Sequence, residues 1–522
     1  MSAGGILKNT FTVGSLTAFS RVLGLVREML QARLIGAGVE QSAFALAFAI
    51  PNMARKLFGE GALTAAFVPV FKGEVERGEM ESARRLARAV MSTMLLGLGA
   101  AAVLVVAALG AWLGWAEGLS PRATLTLKLV QLLFPYMVFI CGAAFGMGVL
   151  NALGRFVEGA FMPAMLNVAW IAALAALCLF PGLSASTRVT VVCWAILAGG
   201  AAQMAFLFWC MAKRGFPPRL SAPRFGDSKV RLVWRNTAIA AFGAGAVQVN
   251  YMLDQVLAQL ASPWAAGVIG FAERLMDMPL GVVGVAFGTV LLPTFSGRFA
   301  AGDVEGARAA MLSSLRHMMA VMLPAAAGMF VLAPEITSVV YERGAFDAVA
   351  TLRVSRALAV YALGLGLFGF QKILVPWFQA QHDMRTPLRT SCVAVGLNAA
   401  LNVLAVWLLP VEWRHVGLAV STVVCAGAGC ALLVAAARRR NGGLGLAAAA
   451  SPLLRTAAAT LAMAAALVFA RPLFAGCGPF VRLAALVPAG AAAYAVLAGA
   501  LGVLPLRAVL SRVFHLQGRA KL

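Results

Sequence analysis

The residues with chemical potential are charges set inside apolar runs. Arg21, Arg27 and Glu28 interrupt the first run, and Arg33 stands near its end. Arg55, Lys56 and Glu60 interrupt the second; Glu273, Arg274 and Asp277 fall together in a later one. A charge at the centre of a membrane helix costs roughly 2.5–3.5 kcal/mol on the insertion scale, so such groups face a wet cavity or a partner. Helical spacing places Arg21, Gly24 and Glu28 on one face, Lys56 against Glu60, and Arg274 within reach of Asp277. One reading is a set of neutral salt-bridge clusters that knit helices together. The first two runs, however, hold more cations than acids. A surplus of buried positive charge calls for an anion, and the arginine fork matches a phosphate or pyrophosphate. The chemistry indicated is recognition of an anionic, phosphate-bearing substrate.

A second polar group comprises Asp254, Asn398, Asn402 and Thr422. Oxygen ligands from several helices suit a hard cation. Interhelical hydrogen bonding is the competing reading.

The elements that carry these residues are membrane helices. The chain has 522 residues, 61% hydrophobic and 12% charged, with a mean hydropathy of +0.87. A soluble domain carries about 25% charged residues, so lipid must serve as the solvent. In lipid the backbone must satisfy itself, and the recurring runs of near-spanning length read as helices. The pattern predicts an all-α polytopic membrane protein with fourteen spans, from 10–35 to 482–505, and both termini on one side. Lys72, Arg77, Arg84, Arg85 and Arg88, then Lys213, Arg214 and Arg219, then Arg438, Arg439 and Arg440 fall in alternate connections; the opposite set includes Glu40, Glu117, Glu335 and Asp347. The basic side is expected to be cytoplasmic. The formal charge of +23 is thereby explained without nucleic-acid binding. The stretch from Lys72 to Arg88 reads as an interfacial amphipathic helix.

A faint repeat divides the chain. Val68-Pro69-Val70-Phe71 returns as Leu292-Pro293-Thr294-Phe295, and Pro163 returns as Pro387, both 224 residues apart. Six spans separate the copies, which predicts two six-helix lobes at 1–225 and 226–440, with two extra spans and a tail at 441–522. Such duplication favours a transporter with its site between the halves. An enzyme is disfavoured: there is no Walker A or HExxH motif, and His317, His382, His415 and His515 are scattered. The eight cysteines include no CxxC pair and read mostly as small buried hydrophobes.

Four stretches carry a family resemblance. Ser20-Arg21-Val22-Leu23-Gly24-Leu25-Val26-Arg27-Glu28, the stretch Pro51-Asn52-Met53-Ala54-Arg55-Lys56-Leu57-Phe58-Gly59-Glu60-Gly61-Ala62, and Ala66-Phe67-Val68-Pro69-Val70-Phe71 resemble the amino-terminal signature of the MurJ/MviN lipid II flippases. Glu273-Arg274-Leu275-Met276 through Pro279, Gly281 and Gly284 to Leu292-Pro293 is similar to their eighth-helix segment. The resemblance implies a MOP/MATE-like exporter fold and alternating access. It also implies a bacterial inner-membrane location, with cytoplasmic termini. The implied task is moving lipid II, the undecaprenyl-pyrophosphate-linked peptidoglycan precursor, to the outer leaflet, in support of cell-wall biogenesis and cell shape. By matching motif, Arg21, Arg27, Arg55 and Arg274 would contact the pyrophosphate or its head group, with Lys56, Glu60, Glu273 and Asp277 beside them. It further implies Na+ as the cation for Asp254, Asn398, Asn402 and Thr422. The chain departs from the family at Lys56, often arginine, so bidentate binding is not carried over to that position, and at Ser42, often aspartate, so any role for an acid there does not transfer. A multidrug or cation antiporter would want a carboxylate-dominated cavity. A flippase for another polyprenyl-linked saccharide is chemically equivalent, and only the signature blocks favour lipid II.

Overall fold

The computed structural model describes residues 3–59, 62–222 and 226–503. Its described elements are all helical. They run α1 (Ala3–Ile35), α2 (Val39–Ala54), a π-helical turn (Arg55–Gly59), α3 (Ala62–Glu76), α4 (Met80–Trp115), α5 (Pro121–Leu133), α6 (Tyr136–Ala152), α7 (Val157–Leu177), α8 (Ala185–Lys213) and α9 (Ser228–Ala261). They continue through α10 (Ala265–Ala300), α11 (Val304–Val331), α12 (Ala333–Tyr341), α13 (Ala348–Gln379), α14 (Arg385–Leu408) and α15 (Val411–Asn441) to α16 (Ala447–Ala470) and α17 (Pro479–Ala500). Among the described residues, ten helical stretches are long and apolar enough to cross a membrane. Helices α1, α9 and α10, at 33, 34 and 36 residues, are as long but carry charges within their apolar runs.

The chain forms two compact units. One contains residues Met1–Gly267 with Arg343–Asp347; the other contains Val268–Glu342 and Ala348–Leu522. In the first, α1 packs on α7, α6 and α7 on α8, and α3 on α9. Its core is built from fully buried Leu133, Cys141, Leu174, Val189, Cys193, Ile196 and Leu207. Small residues let helices approach: a Cβ at Gly200 would stand 2.5 Å from the Tyr136 ring. In the second unit α11 packs on α13, α13 and α14 on α15, and α16 on α11 and α17.

Helix α9 clusters with the first compact unit. Lys229 Nζ bonds Glu74 Oε2 at 2.6 Å, the Lys56 ammonium lies 5.1 Å from the Tyr251 ring centre, and Gln259 Nε2 donates to Ser42 O at 2.5 Å. The segment Lys72–Arg88 is not one interfacial helix. Gly78 takes a φ of +77° and Glu79 N bonds Glu74 O at 3.0 Å, so the chain turns between the end of α3 and the start of α4.

Each unit contains a similar helix ending. After α6, Gly154 has a φ of +76° and Arg155 N bonds Leu150 O at 2.9 Å. After α13, His382 has a φ of +58° and Asp383 N bonds Phe378 O at 3.0 Å. The repeat's phenylalanines also match: Phe71 and Phe295 are both fully buried, with edge contacts to Phe216 and Trp377.

Candidate functional site

In the first unit the charged residues of α1 meet α7. Arg27 Nη1 donates to Asn167 Oδ1 at 2.9 Å, Nη2 pairs with Glu28 Oε1 at 2.5 Å, and the guanidinium lies 4.3 Å from the centre of the Trp170 ring. The Arg27 and Glu28 side chains are only 13% and 14% exposed. Asn167 in turn donates its amide to Ser20 O at 3.0 Å. Trp170 is held edge-on by Phe44 and Phe48, and Phe48 stacks on Tyr136. A cation fixed by an amide, a carboxylate and an indole face is pre-oriented, and cation–π contact grows stronger in such a desolvated setting. The Arg27 Nε is buried with no hydrogen-bond partner among the described residues. Arg21 lies two turns earlier on α1, exposed and without an ion pair or hydrogen bond among the described residues.

Arg55 opens the π-helical turn, which follows Pro51 of α2 by one helical turn. Proline supplies no N–H to the ladder, and the wider π-turn that follows is a geometry found often at functional sites. Arg55 holds Asn52 Oδ1 with Nε at 3.1 Å and Nη2 at 3.0 Å, which fixes the plane of its fork. Lys56, next along the turn, points its ammonium at Tyr251 of α9. Glu60 lies outside the described residues.

Glu273, Arg274 and Asp277 belong to the second unit, on α10 just ahead of Pro279. Glu273 is half-buried and accepts from the Tyr361 hydroxyl at 3.4 Å; Arg274 and Asp277 share an exposed face. Arg21, Arg27, Arg55 and Lys56 are therefore gathered in one unit, and the α10 group is built separately in the other.

The expected cation ligands are also divided. Asp254, in the first unit, accepts from Asn250 Nδ2 at 3.2 Å. In the second, Asn402 Nδ2 donates to Asn398 Oδ1 at 2.8 Å, and Thr422 Oγ1 donates to Leu418 O at 3.1 Å. Each of these bonds stays within its own helix. Among the described residues no three His, Cys, Asp or Glu side chains cluster as a metal site.

Sequence reasoning missed Asn167, Trp170, Asn52 and Tyr251. The available signal for Asn167 was a lone amide inside an otherwise apolar run of α7, with Trp170 three residues on and so on the same face.

A family model described as "Lipid II flippase MurJ" matches residues 31–487. The chain belongs to this family. A probable lipid II flippase MurJ of Rhizobium tropici is 34% identical over 404 residues, covering 76% of this chain and 75% of the relative. The lipid II flippase MurJ of Burkholderia cenocepacia is 32% identical over 400 residues, covering 75% and 76%. Among solved structures, a lipid II flippase MurJ in an inward closed conformation superposes with a TM-score of 0.75 at 21% identity, covering 93% of this chain and 97% of that one. An inward-facing MATE multidrug transporter of the MOP superfamily gives 0.67 at 14% identity, covering 83% and 99%. These two likenesses show a MOP/MATE-like fold. The chain is a multi-pass protein of the bacterial inner membrane, and a transporter rather than an enzyme.

Proposed function

We propose that the protein carries lipid II, the undecaprenyl-pyrophosphate-linked peptidoglycan precursor, from the inner to the outer leaflet by alternating access. The observation that carries this reading is the Arg27 assembly, a pre-oriented and largely desolvated guanidinium in a chain that matches lipid II flippases along most of its length. Arg21, Arg55 and Lys56 are the further cations of the same unit, and they would take the pyrophosphate. Arg274, with Glu273 and Asp277, would contact the head group from the second unit.

The fourteen-span topology belongs to the same proposal. To the ten apolar stretches it adds α1, the α2–α3 pair, α9 and α10, the helices that carry the site's charges. Two six-helix lobes followed by α16 and α17 then place both termini in the cytoplasm. Support comes from how arginines on the opposite side are used. Arg188 donates to Leu34 O and Pro181 O, Arg122 to Gln259 and Ser262 O, and Arg471 and Arg482 to Glu335. They close structure there, and Arg438 and Arg439 lie exposed in the last turn of α15.

The deciding experiment is depletion of the protein in its own cells with an assay of lipid II accessibility on the outer leaflet. Accessibility should fall while total lipid II rises. Unchanged accessibility at full depletion overturns the proposal.

A further inference from the structure

A second cationic feature lies in the first unit, where α4 begins and α8 ends. Arg84, Arg88, Met91, Met211, Phe216 and Pro217 line a small open cleft. The cleft is built rather than incidental. Arg84 is fixed by Nε to Gly215 O at 2.8 Å and by Nη1 to Glu81 Oε1 at 2.6 Å. The strand of chain after α8 is pinned across α4 by Ser221 N to Ser92 Oγ at 2.9 Å. Met91, Met211 and Phe216 are buried and give the cleft an apolar lining.

Arg88 has no such partner. Among the described residues it makes no ion pair or hydrogen bond, and its Nε is buried without an acceptor. A buried charged donor left unmatched is costly, and an anion would correct it. The position indicates which anion. The apolar run of α4 starts immediately after Arg88, and α8 ends in Trp209 and Lys213, with the Lys213 ammonium 3.6 Å from the centre of the exposed Trp209 ring. Exposed tryptophan and snorkelling lysine mark head-group level in a bilayer.

The geometry points to a site for the phosphate of an anionic phospholipid at the inner-leaflet surface, bound by Arg88 with its glycerol and first acyl carbons over the methionine and phenylalanine wall. Free phosphate could use the guanidinium but would leave that wall unused. None of the proposed transport residues takes part, so this site stands apart from the lipid II reading.

The test is lipid binding to the purified full-length protein, followed by native mass spectrometry. Phosphatidylglycerol is titrated against phosphatidylcholine of the same chains. Arg88→Ala should weaken phosphatidylglycerol binding about tenfold or more, the worth of a charge-assisted hydrogen bond. Arg85→Ala, an exposed cation of the same helix turn, should change it by less than about twofold. Arg88→Gln serves as a second variant if the alanine protein fails to insert. Equal losses for positions 85 and 88, or no loss at 88, overturn the site. So do phosphatidylcholine binding as tight as phosphatidylglycerol, and displacement of the lipid by millimolar inorganic phosphate.

Discussion

Arg27 and Asn167, 140 residues apart in sequence, orient one another: Arg27 Nη1 donates to Asn167 Oδ1 at 2.9 Å, while the Asn167 amide nitrogen donates to Ser20 O at 3.0 Å. Because the α1 backbone takes the amide's donor, its acceptor turns toward the cation. The pairing also joins α1 to α7, so the direction of the Arg27 fork depends on how those helices pack.

Asn167→Ala should therefore leave the protein inserted but weaken binding of a lipid II analogue about tenfold, since a hydrogen bond to a charged group is worth about 1.5–3 kcal/mol. Asn167→Asp should do more harm, because a carboxylate beside Arg27 cancels the charge meant for the phosphate. Complementation in depleted cells, with binding measured on purified protein, separates the two. Growth of the aspartate variant at wild-type rate would remove Arg27 from the phosphate site.

How much of this was legible follows from the physics of each residue. Charges within apolar runs are costly enough to be visible in one dimension, so Arg21, Arg27, Arg55 and Arg274 stand out in the sequence, and the span pattern indicates the helical class. What orients the charges was hidden. Asn167 and Asn52 are neutral amides with no insertion cost large enough to announce them, and Tyr251 and Trp170 read as ordinary core aromatics. The turn at Gly78 was masked by a run of charges whose helical periodicity continues through it. The grouping of α9 with the first unit depends on Lys229 meeting Glu74, a contact 155 residues long in sequence.

Glu335 of α12 ties the last helix pair to the rest of the second unit. Its Oε1 accepts from Arg471 Nε at 2.7 Å and Arg482 Nη1 at 3.2 Å, and its side chain is 3% exposed. Arg482 also caps the carbonyls of Phe474 and Ala475. Glu335→Ala should lower stability by about 1–3 kcal/mol, less than for a fully buried pair because Arg471 is 39% exposed. Melting in detergent should report the loss, and hydrogen exchange should localise it to 471–482. Uniform exchange across the chain would contradict an anchor role.

Glu74 lies beyond the apolar part of α3. The hydrogen bond from Lys229 Nζ, aided by Ser82, holds its carboxyl below the usual carboxylate range, against the opposing effect of burial. A depressed folded-state pKa contributes stability that is full above the unfolded value and is lost as pH falls through the folded one. The destabilisation caused by Glu74→Gln should thus be largest at neutral pH and shrink toward zero below the normal carboxylate range. Thermal melts across that window check it; a pH-independent difference would assign the effect to packing.

The proposed topology can be read with native thiols. Cys178 follows α7 and Cys477 joins α16 to α17; both are exposed, and the fourteen-span arrangement sets both outside. In cells whose outer barrier is permeabilised, an impermeant maleimide should label both. A Gly442→Cys variant lacking other cysteines should stay unlabelled until the inner membrane is opened. The reverse pattern inverts every span.

The last prediction concerns fork against point charge. The Arg55 fork is planar and locked on Asn52 through Nε and Nη2, and Arg27 is locked on Asn167 and Glu28 while lying over Trp170. Lysine keeps the charge but has neither the plane nor the second parallel donor. If these residues serve only to balance Glu28 or to pack, Arg→Lys at 27 and 55 should be nearly silent. If they bind a pyrophosphate, alanine at either position should abolish complementation with the protein still in the membrane. Lysine should then retain partial function, with substrate affinity about ten- to a hundredfold weaker, as loss of one charge-assisted bond implies. The same comparison at Arg21 and Arg274 extends the test to the exposed cations. Growth supported by all four alanine variants at normal expression would return the arginines to a packing role and end the phosphate-site proposal.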